Sequence, residues 1–147
     1  MRHSHIDQVW WALRVTYGLV AFLAGLDKFF NLLTNWETYL HPGLVNLLPV
    51  SGPALMRAVG IVEMAVGILI LTRWTRIGAY LASAWLLSIA LNLLLSGSFL
   101  DVAVRDVAMS VGAWTLARLT ELRQPVPEWI EAGASLGRAG RRAEGTV

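Results

Sequence analysis

Four stretches of predominantly apolar residues, at about 9–33, 53–71, 77–95 and 100–119, dominate this chain of 147 residues. Each is close to the roughly 20 residues that a helix needs to cross about 30 Å of hydrocarbon. Hydrophobic residues make up 56% of the chain and charged ones 15%, with a mean hydropathy of +0.56, whereas a soluble domain has about 25% charged residues. The expected fold is all-α: an integral membrane four-helix bundle over residues 9–119, after a short N-terminal segment 1–8 and before a basic tail 120–147.

The basic residues give the expected orientation. Arg2 precedes the first segment, Arg73 and Arg76 lie between the second and third, and Arg118, Arg123, Arg138, Arg141 and Arg142 follow the fourth. The loop "TNWETYLHPGLVNLLPVSG" and the turn "SGS" have no Lys or Arg. This asymmetry places both termini in the cytoplasm of a multi-pass protein in a bacterial-type inner membrane. Arg14 interrupts the first segment and no small-residue cleavage site ends it, so it reads as a crossing rather than a signal peptide. In the long loop, Trp36 and Tyr39 precede an apolar "GLVNLLPV", which is either an aromatic-anchored loop or a segment dipping into the outer interface over 34–52. The tail reads as a proline-started short helix, "QPVPEWIEAG", followed by a polar basic end. The chain has a net charge of +2 and a pI near 9.5. With the basic residues at membrane edges, that points to anionic lipid headgroups, not nucleic acid.

Within the second segment, "MRAVGIVEMAVGILILTR" holds a carboxylate, Glu63, where a charge without a partner is expensive. Small residues and charges share faces nearby. Arg14, Gly18, Ala21, Gly25 and Lys28 follow one stripe of the first helix, Gly60, Glu63 and Gly67 one of the second, and Asp101, Arg105, Ala108 and Gly112 one of the fourth. Asp106 points about 100° around from Arg105. The third helix offers a weaker polar face of Gly78, Ala82, Trp85 and Asn92. At a rise of about 1.5 Å per residue, Glu63 falls near the midplane, with Arg14 about five residues in from the inner end and Arg105 about five in from the outer end. Either Arg is long enough to close much of the gap. Ringed by guanidinium groups, Glu63 stays ionised as a structural clamp or an acceptor for a ligand's polar head; without them it is a protonatable group. Arg14, Lys28, Glu63, Asn92, Asp101, Arg105 and Asp106 are the candidate binding or buried polar network.

Other chemistry is sparse. With no cysteine there is no disulfide or dithiol relay. His3 and His5 fall on the opposite side of the membrane from His41, so they cannot share one iron. No phosphate loop, nucleophile elbow or metal-spaced carboxylate pair occurs. Neither haem nor metal is expected, no catalytic residue stands out, and a self-sufficient enzyme is not expected.

The pattern "LRVTYGLVAFLAGLDKFF", then "GIVEMAVGILILTRWTRIGAYLASAWLLSIAL", then "LDVAVRDVAMSVGAWTL" resembles the DoxX-like small membrane proteins over about residues 9 to 118. Their Arg and G-x-x-K fall on Arg14, Gly25 and Lys28, their E-x-x-x-G and turn Arg on Glu63, Gly67 and Arg73 or Arg76, and their polar pair on Arg105 and Asp106. Members often have a His where this chain has Ala24. The resemblance implies a four-helix bundle and an association with redox complexes. Two roles follow. One is an accessory or structural subunit, in which the charges fix helix register and the chain joins other membrane or soluble subunits or copies of itself. The other is a subunit binding a quinone or similar amphiphile through Glu63, Arg105, Lys28, Asn92 or Trp85. Small-molecule transport is a lesser alternative.

Overall fold

The computed structural model describes residues 2–40, 43 and 49–123. The expectations for His41, for most of "GLVNLLPV" and for the tail beyond Arg123 lie outside the described residues. The chain forms helices α1 (Arg2–Asp27), α2 (Gly52–Leu71), α3 (Thr75–Ser96) and α4 (Leu100–Leu122), with a 3-10 turn at Trp36–Tyr39 between α1 and α2. Three of these, α1 from His5 onward, α2 and α3, are long and apolar enough to cross a membrane. The fourth is as long but carries Asp101, Arg105, Asp106, Arg118 and Glu121, and its passage through a bilayer depends on how those charges are met.

The helices pair as α1 with α2 and α3 with α4, with lighter packing between α2 and α3. Glycine explains the first pairing. A Cβ on Gly25 would come within 2.5 Å of the Gly60 carbonyl oxygen, and one on Gly67 within 2.7 Å of the Gly18 oxygen. The two backbones therefore touch along the stripes of small residues, the mode of association available where lipid removes any hydrophobic drive between helices. Small side chains also fill the interior, where Ala79, Ala82, Ala113 and Ala117 surround Ile70 and Leu116. Large apolar residues such as Leu23, Ile61, Leu91, Val104 and Val111 are exposed, forming a surface suited to lipid.

Helix ends differ from the expected boundaries in one consequential place. The first apolar stretch runs on to Leu33, but the helix stops at Asp27. The Asp27 carboxylate accepts from the backbone N–H groups of Leu32 (3.0 Å) and Leu33 (3.1 Å) and from the Trp36 indole (2.8 Å). Asn31 takes the left-handed conformation, φ 52°, that turns the chain back. Gly25 lies level with Gly60, so α1 ends about two residues later while α2 continues for about eight, roughly 12 Å at 1.5 Å per residue. The segment 28–40 occupies that step, with Glu37 and Leu40 beside Gly52 at the start of α2.

At the other bends, Pro53 opens α2 where its missing N–H is harmless. Gly97, at φ 67°, closes α3 in the left-handed cap position.

Candidate functional site

The buried charges gather at the end of the bundle opposite the described N-terminal residues and the end of α4. Asp27, Lys28, Glu63 and Asp106 are each under a tenth exposed. Lys28, the first residue past α1, extends its ammonium to Glu63 Oε2 at 2.5 Å. The same ammonium sits 3.7 Å from the centre of the Trp36 ring, a cation–π contact. The Trp85 indole donates a longer bond, 3.4 Å, to the other Glu63 oxygen. Glu63 is thus held from α1 and from α3, and Trp36 is held by both Asp27 and Lys28.

This corrects the partner expected for Glu63. Neither Arg14 nor Arg105 meets it. Because α1 stops at Asp27, Lys28 leaves the helix beside Gly60, within one turn of Glu63, and reaches it before either guanidinium can. Asp27 does not neutralise Lys28 in a pair, since its oxygens are taken up by the turn it closes.

Arg14 has another task. Its Nε donates to the Ile70 carbonyl (3.0 Å) and its Nη2 to those of Leu71 (2.6 Å) and Thr72 (2.8 Å), which are acceptors left without helical partners at the end of α2. Its guanidinium lies 4.8 and 4.9 Å from the rings of Trp10 and Trp11. Arg105 is exposed and lies 3.7 Å from its buried neighbour Asp106, which also feels the charge of Lys28. Asp101 is exposed in the first turn of α4, where the helix dipole favours an acid; it joins no network. Asn92 donates to the Tyr39 carbonyl at 2.9 Å and ties the loop to α3, while its own Oδ1 is buried without a partner.

Sequence reasoning missed several members. The sequence reads Trp36 as an interfacial anchor, yet it closes the Lys28 site. An Asp-Lys pair at the end of an apolar helix, with a Trp nine residues after the Asp, is the only local signal for that closure. Arg57 gave no signal, although it lines a cavity of about 120 Å³ with Lys28, Phe29, Asn31, Glu37, Pro53 and Met56. Tyr17, whose hydroxyl donates to the Met109 carbonyl at 2.8 Å, occupies space that Gly112 leaves open. Among the described residues no group of three or more His, Asp or Glu side chains is placed to hold a metal.

No protein-family model, curated protein or solved structure matches this chain. The fold and site therefore define it only as far as an α-helical, multi-pass membrane protein.

Proposed function

We propose that the chain is a DoxX-like, four-crossing protein of a bacterial-type inner membrane, with both termini in the cytoplasm. It acts as an accessory or structural subunit of a redox-linked membrane complex. The observation that carries the structural role is the direct, buried contact between Lys28 and Glu63. Glu63 spends one oxygen on Lys28 and turns the other toward Trp85, so the acid in the apolar helix is used in holding three elements together. The association with redox complexes rests on the motif resemblance alone.

A fourth crossing is supported by the way α4 manages its charges. Asp106 is buried beside the guanidinium of Arg105, Ser110 is buried, and Arg118 pairs with Glu121 near the helix end. Orientation is supported by the basic residues outside or at the ends of the helices: Arg73, Arg76, Arg118 and Arg123 gather at one end, against Lys28, Arg57 and Arg105 at the other.

A second reading, a subunit that binds a quinone or similar amphiphile, is favoured by one observation. Among the described residues the buried Asn92 Oδ1 has no donor, and a ligand hydroxyl would supply one.

Purification from native membranes in mild detergent, followed by native mass spectrometry of the wild type and Glu63→Gln, tests the two. Co-purifying subunits that carry a redox cofactor, with no retained amphiphile, are expected. A lone chain that retains a quinone, lost on Asn92→Leu, would replace the first reading with the second.

A further inference from the structure

The cavity beside the start of α2 contains two charges that the bundle does not use. Among the described residues, the Arg57 guanidinium and the Glu37 carboxylate form no side-chain hydrogen bond or ion pair, with each other or with any neighbour. Glu37 bonds only through its backbone, donating its N–H to Asn35 and accepting at its carbonyl from Leu40. Both nevertheless line one cavity of about 120 Å³. Lys28, on the same wall, is already neutralised by Glu63. The remaining walls are Asn31, which adds a neutral polar side chain, and the apolar Phe29, Pro53 and Met56.

Size and charge together restrict the ligand. At about 30 Å³ per water the space holds about four waters, far below the roughly 300 Å³ at which pockets for whole drug-sized molecules begin. It suits a compact headgroup whose remainder lies outside. A free cation and a free anion on the walls of one small cavity call for a zwitterion. Guanidinium binds phosphate through paired N–H bonds, and a carboxylate accepts N–H bonds from a primary ammonium. The rest of such a molecule would be apolar, because Leu32 and Leu33, immediately along the chain, are 83% and 75% exposed.

Resting on the four-crossing reading above, we propose that this cavity binds the headgroup of phosphatidylethanolamine in the leaflet at the Lys28–Glu63 end of the bundle, with the phosphate on Arg57 and the ammonium on Glu37. A phosphatidylglycerol headgroup satisfies Arg57 but offers Glu37 only neutral hydroxyls in place of an ammonium. A choline headgroup has no N–H to give Glu37.

The test uses the full chain in nanodiscs containing equal amounts of phosphatidylethanolamine, phosphatidylglycerol and phosphatidylcholine, with lipid retention read by native mass spectrometry after release. The wild type should retain phosphatidylethanolamine about tenfold over either competitor, and Arg57→Gln and Glu37→Gln should each erase most of that preference. Thermal unfolding of both variants should match the wild type, since neither side chain bonds within the bundle. Equal retention of the three lipids, or a preference that survives both substitutions, would overturn the proposal. So would binding of soluble O-phosphoethanolamine with no retention of the diacyl lipid.

Discussion

The two ends of the bundle meet their cations in different ways. At the end where α4 finishes, Arg14 is satisfied by three backbone carbonyls and two indole faces. Arg123 lies 3.9 Å from one of those same rings, Trp10, and 3.1 Å from Asp7. Trp10 also donates to Thr120 at 2.8 Å, and Tyr80 to Glu121 at 3.0 Å. These are partly exposed contacts that close the end of the bundle. At the opposite end the central contact, Lys28 with Glu63, is a buried ion pair, and the polar groups around it are not all matched, since Asn92 Oδ1, Arg57 and Glu37 are left over. Carbonyls and aromatic faces answer a cation without introducing a second charge. A carboxylate answers it more strongly, but each partner then depends on the other, and removing either strands a charge in a medium that cannot solvate it.

That contrast is broken most severely at Glu63. Glu63→Gln should lower the unfolding free energy by about 3 kcal/mol, as expected when one member of a buried pair is lost. Replacing both members, Lys28→Met with Glu63→Leu, should cost less than the sum of the two single changes. Chemical denaturation in mixed micelles measures Glu63→Gln, the two single changes and the double, and strict additivity would show that the two side chains do not act as a pair.

A next-largest loss is expected from Gly25→Val, which drives a side chain into the backbone of α2 at the level of the pair. Overpacking of this kind costs about 2 kcal/mol, and the same denaturation series reads it. Because the clash is with a carbonyl, the loss should not depend on pH or salt.

At the far end, Arg14→Met should cost about 1 kcal/mol, because three carbonyls lose a charged donor but lie near enough to the surface for water to replace it. A loss as large as that at Glu63 would erase the distinction between the ends. The smallest effect is local. Trp36→Phe keeps the ring over Lys28 but removes the bond to Asp27, so amide exchange at Leu32 and Leu33 should rise about fivefold while the helices keep their protection. Unchanged exchange there would show that the indole bond does not hold the turn.

How far all this can be read from the sequence depends on whether the information is local. The stripes Gly18 and Gly25, and Gly60 and Gly67, are periodic within single helices, and they are where α1 and α2 touch. Glu63 stands out because its neighbours are apolar. Its partner does not stand out, because the choice among Arg14, Lys28 and Arg105 turns on where α1 stops. That point is set by Asp27 capturing amides several residues ahead and by a left-handed Asn31, neither of which interrupts the hydropathy pattern. The role of Arg14 is hidden for a related reason: its acceptors are carbonyls at the end of another helix, and carbonyls leave no mark in a sequence. Arg57 and Glu37 are twenty residues apart in the chain, and only the step left by the early end of α1 brings them to one cavity.

The short turn of Gly97, Ser98 and Phe99 between α3 and α4 has a consequence for biogenesis. Taken alone, α4 is a poor candidate for partitioning into lipid, since each charge carried to the bilayer centre costs about 2.5–3.5 kcal/mol in translocon-mediated insertion. Tethered by three residues to the apolar α3, with which it shares its longest helix-to-helix contact, α4 need not partition alone. On the four-crossing reading, the two helices enter as one hairpin, and the translocation machinery handles α3 and α4 as a single hydrophobic unit. Lengthening that turn would then separate the two events, leaving α4 to face the bilayer with its charges still unmet.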